Sequence, residues 1–161
     1  MTGGTQWLDE SQQRSWRALL VGMTLLSDRL EDELRAAHGL SLAEYEILVR
    51  LSEGEGRQLR MAQLAGAMAH SRSRITHTVS RMEKQGLVER CETPDDRRGV
   101  LARLTPKGWE LLVAAAHTHV TGVRNHLVDL ATPEDFEALG RVMDAVADQL
   151  VVGHPEMDIR Q

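Results

Sequence analysis

Two helical patterns in the middle of the chain, at 61–68 and at about 72–85, are separated by only three residues. Ser71 is placed to cap the second helix, and Gly86 is suited to the C′ position that ends it. Two helices joined by so short a turn form a helix-turn-helix, although this turn lacks the glycine often found there. The sequence therefore predicts a helix-turn-helix at this point.

A hairpin is predicted directly after this pair of helices. Two short runs with strand character, at 87–92 and 100–104, flank the segment 93–99, which contains proline, two aspartates and glycine. These are typical turn residues, so the segment is interpreted as a hairpin with a charged tip. A further short strand is predicted at 58–60. Helix, turn, helix and hairpin in this order predict a winged helix-turn-helix.

Two helices are predicted before this unit. An apolar stripe at helical spacing covers about 10–37, and Gly39 ends it. Ser41 can cap the next helix, and Glu44 three residues later completes a capping box. That second helix is predicted to run to about Leu51.

Two more helices are predicted after the hairpin, beginning at Thr105-Pro106 and at Thr132-Pro133, where each pair supplies an N-cap and a first helical residue. Outer helices of about 20–28 residues are about 30–42 Å long. Their apolar stripes are longer than one lobe can cover, so a second copy of the chain is expected to cover them. The stripes are Trp16, Leu20, Met23, Leu30 and Leu34; Leu112, Ala116, Val120, Val123, Leu127 and Leu130; and Phe136, Leu139, Met143, Val146 and Leu150.

The predicted fold is mainly α with a small β wing. It is a six-helix winged helix-turn-helix with a helical dimerisation region. We expect the DNA-binding lobe at 39–104, the dimerisation helices at 1–38 and 105–152, and a frayed tail at 153–161.

The charge distribution indicates where nucleic acid would bind. The formal net charge of −5 argues by itself against a DNA-binding protein. However, residues 56–103 contain ten Lys/Arg and five Asp/Glu, whereas the rest of the chain contains nine and nineteen. A basic middle between acidic ends suggests that only the middle meets phosphate.

The second helix of the pair carries the predicted reading face. Its apolar residues Ile75, Val79 and Met82 are expected to face the core, and no acid occurs from 71 to 82, whereas an ordinary solvated face usually mixes signs. We predict base contacts by Arg74, Thr76 and His77, and phosphate contacts by Ser71, Ser73 and Arg81. The full set of predicted DNA-binding residues is Ser71, Arg72, Ser73, Arg74, Thr76, His77, Ser80, Arg81, Asp96, Arg97 and Arg98.

Several motifs, in order, resemble the MarR family of transcription regulators. The recognition-helix region of that family is similar to Leu64-Ala65, to Ser-Arg-Ser-Arg-Ile-Thr at 71–76 and to Met-Glu-Lys-Gln-Gly-Leu-Val-Glu-Arg at 82–90. Asp-Arg-Arg at 96–98 matches the family's wing signature, and Leu-Thr-Pro-Lys-Gly at 104–108 matches the segment that leads into the next helix. The resemblance covers about 41–108 with specific motifs and the flanking helices by pattern.

The resemblance implies several further properties. The first helix and the last two interlock in a homodimer, and wing Asp96 braces Arg98, which enters the minor groove. Many members respond to small phenolic or aromatic effectors held between the dimer region and the DNA-binding lobes. Four residues are candidates to border such a pocket, although packing in an ordinary core is the simpler interpretation: Trp16, Met23, His38 and Tyr45.

We therefore expect a DNA-binding transcription regulator, acting as a repressor at an inverted repeat, and not an enzyme. The sequence has no nucleophile-elbow, phosphate-loop or zinc-protease motif. No cofactor is predicted. With no signal-like start and no long apolar run, we expect a cytoplasmic protein without a membrane partner.

Alternatives stay open beside this interpretation. A sequence-tolerant nucleoid-type DNA binder has the same sequence features, whereas a protein-interaction module would have an apolar or acidic reading face. His117, His119 and His126 suggest a metal-responsive regulator, but their spacing suits a helical metal site poorly, so no metal site is predicted. Cys91 suggests a redox-responsive one, but a small buried or edge thiol is the simpler interpretation.

Overall fold

The computed structural model of the chain describes residues 4–68, 72–93 and 96–152, with side chains except at 72, 92–93 and 96–98. The predicted turn at 69–71 and the predicted tail at 153–161 lie outside these residues. The helices are α1 (Glu10–His38), α2 (Leu42–Glu53), α3 (Met61–Ala67), α4 (Arg72–Lys84), α5 (Pro106–His126) and α6 (Pro133–Leu150). The strands are β1 (Gln58–Arg60), β2 (Val88–Thr93) and β3 (Asp96–Leu104). Six helices and a small sheet confirm the predicted fold class.

Local signals fix the ends of the first two helices. Asp9 caps α1, because its side chain accepts a hydrogen bond from the backbone N–H of Gln12 at 2.8 Å. Gly39 ends α1 in the left-handed conformation, with φ at 67°. The predicted capping box of α2 is confirmed: Glu44 N–H donates to Ser41 Oγ at 3.1 Å, and Ser41 N–H donates to Glu44 Oε2 at 2.8 Å.

The three strands form one antiparallel sheet in the order β1-β3-β2. Gln58 and Glu89 both pair with Arg103, so the three side chains lie in one row across the sheet. The Arg103 guanidinium donates to Gln58 at 3.0 Å and to Glu89 at 3.4 Å. This row ties the short strand β1 to the hairpin.

Two predicted boundaries are wrong. Strand β3 begins at Asp96 and not at 100, because Thr93 pairs with Asp96 across the antiparallel ladder and strand pairing overrides the turn preference of 96–99. Helix α5 ends at His126, so the predicted stripe up to Leu130 is interrupted. Leu127 leaves helical backbone angles, with φ at −140°, and a short 3₁₀ turn follows at Val128–Leu130.

One hydrophobic core lies inside the winged lobe and extends to the start of α5 and the end of α1. Its fully buried residues include Leu34, Ile47, Leu64, Val79 and Ala102, which come from five different elements. In the single chain that is described, no residue of α6 is buried. The core therefore supports the lobe, while the outer helices keep apolar faces exposed.

Candidate nucleic-acid interface

The recognition helix α4 is anchored to the lobe along the predicted stripe. Ile75, Val79 and Met82 are at most 1% exposed. These positions recur at intervals of three and four residues, so they fix one side of the helix against the core. The opposite side of α4 is thereby held in a defined orientation.

The opposite side carries polar and basic residues. Ser73, Arg74, Thr76 and His77 are exposed, in the N-terminal half of α4. These side chains supply hydrogen-bond donors, which suit base edges and phosphate oxygens. The structure thus brings together most of the predicted helix residues on one accessible surface.

Ser80 is a weaker candidate than the sequence suggested. Its hydroxyl donates to the carbonyl oxygen of Thr76 at 2.8 Å, and the guanidinium of Arg90 donates to the same hydroxyl. Arg90 also pairs with Glu83, with 3.4 Å between Nε and the carboxylate oxygen. Ser80 is therefore already engaged in an interaction that links α4 to strand β2.

Arg81 forms an ion pair that the sequence did not predict. Its Nε donates to Oε1 of Glu44 on α2 at 2.9 Å. The Glu44 side chain is 4% exposed, whereas that of Arg81 is 50% exposed. The capping pattern identified Glu44 as a local residue, but no local signal indicates a partner 37 positions away.

The C-terminal end of α4 is held by the start of α5. Gly86 has a φ of 72°, and the Thr105 hydroxyl donates to its carbonyl oxygen at 2.7 Å. Lys107 Nζ donates to the carbonyl oxygen of Gln85 at 2.7 Å. We call the residues 85–87 and 105–108 the α4–α5 junction. It satisfies carbonyl groups at the end of the recognition helix and links that helix to the outer helical region.

Part of the predicted site lies outside what the structure describes. Asp96, Arg97 and Arg98 lie at the start of β3, but their side chains are not among the described ones. The same holds for the Arg72 side chain and for all of Ser71. The bracing of Arg98 by Asp96 and the phosphate contact of Ser71 stay predictions.

The four candidate pocket residues form two separate groups. His38 and Tyr45 converge on neighbouring residues of α5: His38 Nε2 lies 2.8 Å from Thr118 Oγ1, and the Tyr45 ring contacts the tilted ring of His119 with 4.6 Å between centroids. Trp16 and Met23 lie in the N-terminal half of α1. At about 1.5 Å per residue, Trp16 is about 33 Å along the helix from His38. One chain cannot bring all four residues to one small pocket.

Two of the three histidines that suggested a metal, His119 and His126, make other contacts. His126 Nε2 lies 2.8 Å from Glu33 Oε1, and this hydrogen bond together with one from Arg29 lowers the pKa of Glu33. Burial lowers the pKa of His119. Among the described residues, no cluster of three metal-ligating side chains occurs.

An apolar groove runs between α1 and the last two helices. Its volume is about 400 Å³, and its lining includes Leu19, Met23, Leu26, Leu139 and Met143. Trp16, on the same helix, is 50% exposed in the single chain. No helix within the described residues is long and apolar enough to cross a membrane.

The chain resembles known transcription regulators in both sequence and structure. The MarR family model matches residues 38–99. Sco3205, a MarR family transcriptional regulator from Streptomyces coelicolor solved in complex with DNA, is 40% identical to this chain, with a TM-score of 0.87. That match covers 92% of this chain and 93% of Sco3205. The chain belongs to the MarR family.

Two further MarR-type relatives agree with this assignment. AbsC, a MarR family transcriptional regulator from Streptomyces coelicolor, is 42% identical, with a TM-score of 0.85, over 91% of this chain and 98% of AbsC. The transcriptional regulator PecS of Dickeya dadantii is 29% identical over 85% of this chain and 88% of its own length. The predicted class, a winged-helix transcription regulator of the MarR family and not an enzyme, is confirmed by these relatives.

Proposed function

We propose that this MarR-family chain is a homodimeric repressor that binds an inverted-repeat operator through α4 and the wing. The observation that carries the proposal is the outer face of α4, which has no acid as far as 82 and on which Arg74, Thr76 and His77 are exposed while the opposite face is buried. A helix displayed in this way fits the major groove, where base edges can be distinguished. Sco3205, 40% identical, was solved with DNA, which supports the same use of this surface.

The exposed apolar faces of the outer helices support the dimer. Val146 and Met143 on α6 are 42% and 40% exposed in the single chain, and the groove between α1 and α6 is apolar. Large contiguous apolar surfaces typically mark interaction sites, and a second copy offers the complementary helices. Two-fold symmetry would place two α4 helices in successive major grooves, with half-sites about ten base pairs apart.

The operator can be found by selecting duplexes from a random pool and by footprinting the DNA that flanks the gene of this protein. We expect an inverted repeat protected on one side of the duplex. Competition with scrambled duplex then measures discrimination. Equal affinity for selected and scrambled DNA would favour a sequence-tolerant nucleoid-type binder instead.

The proposed function includes release of the operator DNA when a small aromatic effector binds. The buried ring of Tyr45 and the partly buried ring of His119 lie in contact next to His38, which supports a site at this end of α1. Trp16 and Met23 could take part only from the second chain, because they are too distant in the same chain. Titrating the operator complex with salicylate, a simple phenolic acid, should release DNA from the wild type. A Tyr45→Ala variant should release it less. Equal release from both proteins would place the effector elsewhere.

A further inference from the structure

A buried carboxylate connects the second helix to the recognition helix. Both oxygens of Glu44 are used: Oε2 accepts the Ser41 backbone N–H at 2.8 Å, and Oε1 accepts Nε of Arg81 at 2.9 Å. A buried carboxylate is costly unless it is paired and hydrogen-bonded. Glu44 therefore needs Arg81 in this one position, and the exposed guanidinium is held by a buried group.

Arg81 lies on the same side of α4 as the predicted reading residues. It follows Arg74 by seven residues and His77 by four, so the three positions share one face of the helix. Only the Nε–H of the guanidinium is used by Glu44, and the terminal nitrogens carry four more N–H donors. Such a fork matches phosphate oxygens in charge and geometry.

We propose that Glu44 is a positioning residue for DNA binding, which holds Arg81 so that its terminal nitrogens contact a backbone phosphate. This inference rests on the proposed function, since it needs α4 to meet DNA. The advantage is entropic. A free arginine loses rotamer freedom when it binds phosphate, whereas an arginine that is already fixed loses little.

For the removal of the Glu44 charge, the proposal predicts a change in DNA affinity opposite to the one expected from the net charge of the surface alone. Removing an acid near DNA should strengthen binding if only the net charge of the surface mattered. Glu44→Gln should instead weaken binding by about threefold to tenfold, because Arg81 loses its anchor. Glu46→Gln is the matched control, since Glu46 lies exposed on the same helix. It should leave affinity unchanged or slightly stronger.

The test measures DNA affinity over a range of salt concentrations for the wild-type dimer, Glu44→Gln, Arg81→Ala and the double variant. The probes are the duplex selected by the wild type and a scrambled duplex. Glu44→Gln should weaken binding to both duplexes. It should also reduce the slope of log affinity against log salt concentration by about the amount expected for one phosphate contact per Arg81 that no longer reaches the DNA backbone. In the Arg81→Ala background, Glu44→Gln should change affinity by less than about twofold.

The outcomes separate positioning from damage to the lobe. A Glu44→Gln protein that binds as tightly as the wild type, or more tightly, would overturn the inference while leaving the proposed function intact. Equal weakening in both backgrounds would also overturn it, because a destabilised lobe weakens binding whether or not Arg81 is present. A wild-type protein that binds neither duplex would overturn the proposed function, and this inference with it.

Discussion

Gly108, in the first turn of α5, lies so close to the carbonyl oxygen of Leu87 that a Cβ atom on it would stand 2.1 Å away. The same Cβ would lie 2.8 Å from Cδ1 of Leu104. Leu87 directly follows the turn that ends the recognition helix, so the close approach lies in the α4–α5 junction. Only a residue without a side chain allows the outer helical region to come this near to the recognition helix.

Gly108→Ala should therefore destabilise the protein. The nearest obstacle is a backbone atom and cannot rotate away, so overpacking should cost about 1–3 kcal/mol. Thermal unfolding followed by circular dichroism measures the loss. Gly4→Ala is the silent control, because nothing lies within 4 Å of a Cβ atom at that position. A Gly108→Ala protein as stable as the control would show that the junction can separate at little cost.

The wing arginine gives a second prediction. Arg98→Ala should weaken binding to every DNA sequence, most at A/T-rich minor grooves, and should flatten the dependence on salt. Asp96→Ala should act in the same direction but more mildly, because it removes the predicted brace of the arginine. Affinity at several salt concentrations measures both effects. If Arg98→Ala kept the wild-type affinity and slope, the wing would not touch DNA.

The outer helices give a third prediction. The wild type should scatter light as a particle of about twice the 18.0 kDa chain mass. Val146→Asp should yield monomers or unfolded chains, because it places a charge in the apolar stripe of α6. Arg141→Asp changes charge on the opposite side of α6 and should leave the dimer intact. A wild-type protein that stays monomeric at micromolar concentration would contradict the dimer.

The sequence predicted those parts of the fold that depend on neighbouring residues. The capping box of α2 needs only Ser41 and Glu44, three positions apart, and the buried stripe of α4 needs only helical spacing. These signals act within one or two helical turns, so they can be read without knowing the tertiary structure.

Interactions between distant segments could not be predicted in this way. The pairing of Glu44 with Arg81 spans 37 positions, and that of His38 with Thr118 spans 80. Both depend on how the helices pack and not on any local pattern. The same reason explains the pocket candidates: the family resemblance suggested one site, but the length of α1 separates Trp16 from His38.

The partly buried imidazole of His119 makes stability depend on pH. Burial lowers its pKa, so the unfolded chain binds a proton more readily than the folded one. Stability should therefore be fully present above the unfolded value of about 6.5 and should fall as pH drops below it. His119→Gln should lose less stability than the wild type between about pH 7.5 and pH 5.5. His117→Gln, at an exposed position, should behave as the wild type does. Equal losses in all three proteins would mean that His119 titrates normally.

The reading face gives the last prediction, which separates base recognition from phosphate binding. Arg74→Ala should cost about 1–3 kcal/mol on the selected operator and little on scrambled DNA, because an arginine that reads a base stabilises the complex only where the right base is present. Arg81→Ala should weaken both complexes about equally, because phosphates occur in every sequence. It also leaves Glu44 buried without its cation, so binding must be measured at a temperature where circular dichroism shows the variant to be folded. Both variants are compared on both duplexes at one fixed salt concentration. If Arg74→Ala kept the full discrimination between the two duplexes, another part of α4 would have to read the bases.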